Sequence, residues 1–233
     1  MTIFDLSPIE IEAMVLSLRV ALIASALCLV PAIGVAWLLV RTRMPGKIIL
    51  NVVAHAPLVL PPVVIGYLLL LAFGVRGPVG AWLNDTFGIR LVFSSAGAIL
   101  AAAVMAFPLT VRAVKLSLEA VDQGFEFAAR SLGASRLDAF FTITLPLMLP
   151  GILSGLLMAF AASLGEFGAT ITFASNVEGQ TRTLPLAIYT ATQMPDGDAV
   201  ALRLVILAIL LSLIALTLSE LAERWARKTI YGT

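Results

Sequence analysis

No residue able to do covalent or acid–base chemistry stands in a catalytic pattern. The one cysteine, Cys28, lies in an apolar run, which excludes an intrachain disulfide and a cysteine-based metal cluster. His55 has no second His or Cys at ligand spacing and reads as a hydrogen-bonded packing residue. HExxH, GxSxG and paired Ser–Lys arrangements are absent, so an intramembrane enzyme is excluded. Glu166 is the one carboxylate abutting a long apolar run, a position that marks a functional site by default. Ser163, Thr170, Thr172, Ser175 and Asn176 around it offer neutral hydrogen bonds, either to a passing solute or between helices. The strongest pattern is one of recognition: residues 126–146, a polar interruption with helical spacing inside an apolar chain.

Just ahead of that stretch Asp122 can cap a helix on which Phe125, Ala128, Ala129 and Leu132 fall at i, i+3, i+4 and i+7, an apolar stripe. Glu126 precedes Arg130 by four, the favourable order for an exposed pair. Gly133 sits where the chain must leave the helix, in the left-handed conformation that glycine adopts cheaply. Ser135 to Asp138 then spells a capping box that starts a second short helix. Such a helix–glycine–helix unit suits either of two roles. Its small alanines and large Phe125 can seat another protein, or its apolar stripe can rest on lipid headgroups.

The elements that carry these residues are membrane spans. Mean hydropathy is +1.03, with 60% hydrophobic and 12% charged residues, whereas soluble chains carry roughly 25% charged residues. A net charge of +1 gives no bulk electrostatic attraction for nucleic acid. A helix needs about 20 apolar residues to cross the bilayer. Charge-free runs over 20–40, 48–75, 91–111 and 139–165 meet that length. A fifth, 204–219, meets it once 199–202 are added and Arg203 snorkels outward. Two shorter apolar pieces, 167–177 and 183–195, are cut by Glu178 and Arg182 and read as a re-entrant or outward-facing lining element. The expectation is an all-α integral membrane protein of five spans forming one domain over 1–233. Asp5, Glu10 and Glu12 precede the first Arg19, the wrong charge for a cleaved secretory leader, so the first apolar segment stays as a span.

Five spans sort the basic residues to two sides. Arg41, Arg43, Lys47, Arg112, Lys115, Arg130, Arg136, Arg224, Arg227 and Lys228 share one, ten in all, against five on the other: Arg19, Arg76, Arg90, Arg182 and Arg203. The richer side is expected to be cytoplasmic, with the amino terminus outside and the carboxyl terminus inside. Trp225 and Tyr231 then stand among basic residues where the last helix leaves the bilayer. A six-span alternative, with 167–195 crossing fully, would move Arg224, Arg227 and Lys228 to the opposite side.

The spacing of Glu126, Ala128, Ala129, Gly133, Ile143, Leu145 and Pro146 resembles the EAA loop of ATP-binding-cassette importer permeases. The likeness extends to 57–67 (PLVLPPVVIGY), 107–112 (FPLTVR), 164–173 (LGEFGATITF) and 181–185 (TRTLP), and is similar to the molybdate branch of that family, close to the sulfate permeases. One departure is Phe127, which stands where many importers have an acid. The resemblance implies a type I importer permease fold in a bacterial inner membrane, with cytoplasmic coupling helices over 120–140. It further implies two permease copies, an ATPase dimer seated on the EAA loop, and a periplasmic or extracellular oxyanion-binding protein. ATP and Mg would be bound by the ATPase, leaving this chain without cofactor or metal. Phe125 joins Glu126, Ala128, Ala129, Gly133, Ile143, Leu145 and Pro146 as the expected docking set.

Pro57, Pro61 and Pro62 remove backbone donors inside the second span and must kink or break it near Pro61 and Pro62. With Ser163, Glu166, Thr170 and Thr172 these two prolines form the expected solute path or gate. A carboxylate repels molybdate, so Glu166 is assigned a structural or gating role, paired with Arg182. The solute expected is molybdate, with tungstate second; a sulfate or thiosulfate permease is the alternative within the family. A self-contained secondary transporter would require paired intramembrane charges and inverted repeats, neither of which the sequence displays.

Overall fold

The computed structural model describes residues 6–231, of which the side chains of 219, 222, 223 and 225–231 lie outside the described set, as do the readings of Trp225, Arg227, Lys228 and Tyr231 as side chains. All regular structure among the described residues is helical. The first helix, α1 (Pro8–Arg41), starts from a capping box in which Ser7 and Glu10 satisfy each other's backbone amides. Its small residues Ala24 and Cys28 pack against Ala98, Ala102 and Ala106 of α5 (Ser95–Ala120). Cys28 Sγ donates to the carbonyl of Ala103 at 2.9 Å, and the cysteine is a buried core residue.

The register between α1 and α5 fixes the topology. Cys28 lies level with Ala103, and Arg41 level with Leu118 and Val121, so the two helices run parallel. The chain between them must therefore cross once. That crossing is made by α2 (Lys47–Val59) and α3 (Pro62–Phe73), which are bent by 118°. The expected span over 48–75 is thus two half-length helices. Leu60 and Pro61 are both extended between them, because each precedes a proline that disfavours helical geometry in the residue before it. A short helix, α4 (Pro78–Phe87), leads back to Ser94, which caps α5 by accepting from Gly97 N at 3.1 Å.

The expected span over 139–165 is also bent. After α6 (Gln123–Ser131) and α7 (Arg136–Ala139) comes a π-turn (Phe140–Thr144) and the single turn α8 (Leu145–Leu147); α9 (Leu149–Leu164) then departs at 66°. Pro146 has no amide hydrogen for the carbonyl four residues back, and the ladder slips so that Leu145 N–H bonds Phe140 O. The stretch that crosses is α9, antiparallel to α5, with Ser117 Oγ donating to Met148 O at 3.2 Å. Gly151 and Gly155 face Ser117, Ala113 and Thr110, where side chains would block the approach.

Two short helices, α10 (Gly168–Phe173) and α11 (Leu184–Thr192), then stay at the end remote from Arg41. Leu184 N donates to Ser17 Oγ of α1 at 2.6 Å, and Ala13, Leu184, Ala187, Ala191, Ala201 and Leu204 form one buried cluster. Neither helix is long enough to cross, which agrees with the sequence reading that 167–177 and 183–195 do not span independently. The last helix, α12 (Asp198–Tyr231), returns toward the Arg41 end. Among the described residues three helices are long and apolar enough to span alone, and counting each bent pair as one span gives up to five. One expectation fails here: Arg203 does not snorkel but turns inward to Glu10, its Nη2 2.9 Å from Oε1.

Candidate docking face and solute path

The docking stretch folds as its spacing demands. Asp122 accepts from Gly124 N at 2.8 Å to start α6. The helix is closed by Gly133 at φ +99°, with Ala134 N bonding Ala129 O at 3.1 Å. Ser135 Oγ accepts from Asp138 N at 3.1 Å and donates to its carboxylate at 2.6 Å. Those hydrogen bonds from Ser135, the side chain first and then the backbone amide, hold the Asp138 carboxyl below its usual range.

No residue of α6 is buried. Phe125 and Ala128 are exposed, Ala129 is half-buried, and Leu132 is 90% exposed. Phe127, Leu137 and Phe141, which the stripe did not include, extend the apolar surface. Exposed side chains of this size form an apolar patch of the kind that marks a protein or membrane contact surface. Ile143 and Leu145 are half-buried, and Leu145 packs on the cluster of Ala36, Val114, Leu118 and Met148, while Pro146 is exposed. The carboxyl-terminal part of the expected docking set therefore anchors the loop to the bundle.

Glu126 departs from the expected pairing. Its partner is Arg41, at 3.4 Å, and it also accepts from Thr144 Oγ1 at 2.7 Å; Arg130 does not meet it. The arginine is 85 positions away, so the nearer cation at i+4 masked it in the sequence. The available signal was that Arg41 ends a span on the same side as Glu126.

The expected path residues are partly brought together. Pro62, at the start of α3, abuts Gly168, and Gly66 abuts Ala169 and Thr172, so α3 and α10 lie side by side through glycines the sequence reading passed over. Pro61 and Pro62 are exposed on this bend. Glu166 does not pair with Arg182. It caps α10, accepting from Ala169 N at 2.7 Å, while Arg182 is engaged by Glu178 at 2.7 Å and by Asn176. A carboxylate four residues away along the loop is simply closer. Thr172 donates to Gly168 O, Thr170 is buried, and Ser163 is buried with its hydroxyl unpartnered. Asn176 ties this segment to Thr190 of α11. His55 Nδ1 lies 2.8 Å from Asn51 O within its own helix, a satisfied packing residue.

With the helix–glycine–helix unit exposed beside the ends of α1 and α5, comparison with known proteins becomes decisive. The family described as the binding-protein-dependent transport system inner membrane component matches residues 30–228. The chain belongs to that family. Within it, the chain is 57% identical to the molybdenum transport system permease protein ModB of Escherichia coli K12 over 94% of this chain and 96% of that one. The Haemophilus influenzae ModB is 55% identical over 96% and 98%. A sulfate transport system permease protein, CysT of E. coli K12, is 34% identical over 96% and 80%. The fold is that of ABC importer permeases. A methionine ABC transporter in inward-facing conformations matches with TM-score 0.72 at 18% identity, covering 95% of this chain and 99% of that one. A bacterial ABC transporter importing alginate matches with TM-score 0.74 at 15% identity, covering 94% and 80%. Members of this permease family are transport subunits, and the lack of any catalytic constellation noted above accords with that.

Proposed function

We propose that the chain is the membrane-spanning subunit of an ATP-driven importer that passes molybdate, with tungstate as its second solute. The observation that carries the solute is the gap in identity between the two branches: 57% and 55% to the molybdenum permeases against 34% to the sulfate permease, over comparable shares of this chain.

Two copies surround the passage, since one docking face per subunit serves a two-fold ATPase dimer most simply in a C2 pair. The ATPase dimer sits on Phe125, Ala128, Ala129 and Leu132 and supplies ATP and Mg, while an external binding protein delivers the oxyanion. The docking end is cytoplasmic and the Ser7 end outside, a reading supported by the ten-to-five division of basic residues. Nucleotide binding draws the ATPases together, the loops follow, and the bundle rocks from inward to outward opening. The polar lining is neutral: a hydroxyl such as that of Ser163, which no group among the described residues engages, holds a tetrahedral oxyanion too weakly to trap it. Glu166 keeps its charge off the solute by capping α10.

Labelled molybdate uptake in vesicles tests this, with and without the ATPase and binding protein. Uptake requiring both, competed by excess molybdate far better than by excess sulfate, is expected. Equal competition transfers the chain to the sulfate branch.

A further inference from the structure

We infer that Arg41 is a positioning residue that locks the coupling helix α6 to the ends of two spans, and that Glu126 faces inward to complete this lock instead of touching the ATPase. The inference rests on the docking reading above and assigns its internal linkage.

The side chain of Arg41 is 8% exposed. It stands at the last residue of α1, and its Nη2 reaches three acceptors on other elements: Val121 O at 3.1 Å, Leu118 O at 3.4 Å and Glu126 Oε1 at 3.4 Å. Leu118 and Val121 close α5, where the final carbonyls lack helical partners and the dipole favours a cation. Oε1 of Glu126 also accepts from the hydroxyl of Thr144, a fully buried residue of the π-turn that leads into α9. One cation and one carboxylate thus join α1, α5, α6 and the approach to α9. Among the described residues, Glu126 is the side chain of α6 whose hydrogen bonds reach the spans; Ser131 bonds within its own helix. The face of α6 bearing Phe125 and Leu132 is left free for the partner.

A displacement of α6 therefore reaches the spans through an ionic contact between the buried Arg41 and the half-buried Glu126. Without it, α6 keeps its exposed face and can still seat an ATPase, but its movement is no longer imposed on α1 and α5. The signature is uncoupling, which loss of docking would not give.

The test uses the assembled transporter, with ATPase and binding protein, in proteoliposomes. Glu126→Gln, Arg41→Lys and Arg41→Met are compared for ATPase co-purification and for molybdate imported per ATP hydrolysed. Co-purification is expected to stay at the wild-type level while imported molybdate per ATP falls by at least about fivefold, the lower end of typical coupling effects. Glu126→Gln keeps shape and the bond from Thr144, so it addresses the charge without emptying the site. Loss of co-purification in Glu126→Gln would place the carboxylate on the ATPase and overturn the inference; an unchanged import ratio in all three variants would also overturn it. If the wild-type chain itself fails to co-purify, the docking reading falls and takes the inference with it.

Discussion

Glu10 and Arg203, 193 positions apart, meet at 2.9 Å with the carboxylate 3% exposed, fastening the first turn of α1 to the first turns of α12. Glu10 also returns its second oxygen to Ser7 N, so one side chain both caps α1 and holds the last helix. Removing one member leaves the other charge buried, at a cost of about 3 kcal/mol or more. Glu10→Met and Arg203→Met should each lower the unfolding temperature in detergent, whereas the double substitution should recover much of the loss. A double variant as unstable as the sum of the singles would show that the two charges act independently.

Gly133 separates conformational strain from crowding. Nothing lies within 4 Å of the position a Cβ would take, yet φ is +99°. Gly133→Ala should cost about 1–2 kcal/mol at this turn, lower the unfolding temperature of the isolated permease by a few degrees and weaken ATPase co-purification. Gly133→Asn, which tolerates the left-handed region better, should be milder. Equal behaviour of Ala, Asn and Gly would contradict the turn assignment.

The contact between α3 and α10 gives the opposite case. A Cβ on Gly66 would fall 2.7 Å from both Ala169 O and Thr172 Cβ. Gly66→Ala should destabilise by about 1–3 kcal/mol, as overpacking does, and lower transport. Gly34→Ala, in open surroundings on α1, should be neutral or stabilising by up to about 1 kcal/mol. Thermal unfolding of the two variants in parallel checks the contrast.

Leu132, the most exposed of the apolar side chains on the docking face, offers a partner-specific test. Leu132→Ala should weaken ATPase association by more than about 1 kcal/mol without moving the unfolding temperature of the permease alone. A drop in stability with unchanged association would reassign it to the bundle.

Features fixed by a few neighbouring residues were legible in the sequence. The cap at Asp122, the turn at Gly133 and the capping box at Ser135 depend on contacts within four residues, and each formed as read. The break at Pro61 and Pro62 was legible too, because a missing amide is a property of the residue itself. Its size was not: the 118° bend depends on where α3 finds Gly168 and Ala169 to pack against. Every ionic partner assigned from proximity or polarity alone was displaced. Arg130 yielded to Arg41 and Arg182 turned to Glu178, while Arg203 was drawn in by Glu10. Charged side chains in an apolar bundle take whichever opposite charge the packing presents, and for Glu126 and Arg203 that partner is far away in sequence. Gly66 and Gly168 were missed for a related reason, since a glycine in a helical pattern does not say which neighbour it admits.

The parallel contact of α1 and α5 is lined by Ala24, Ala98, Ala102 and Ala106, all without exposed surface. Alanine has no rotamers to exchange, so this seam has no second way of packing. The pair is a keel. Flexure must then be taken up by the two jointed crossings beside it, at 59–62 and at Met148. A stroke delivered at the basic end would swing those hinged limbs about a beam that itself stays straight.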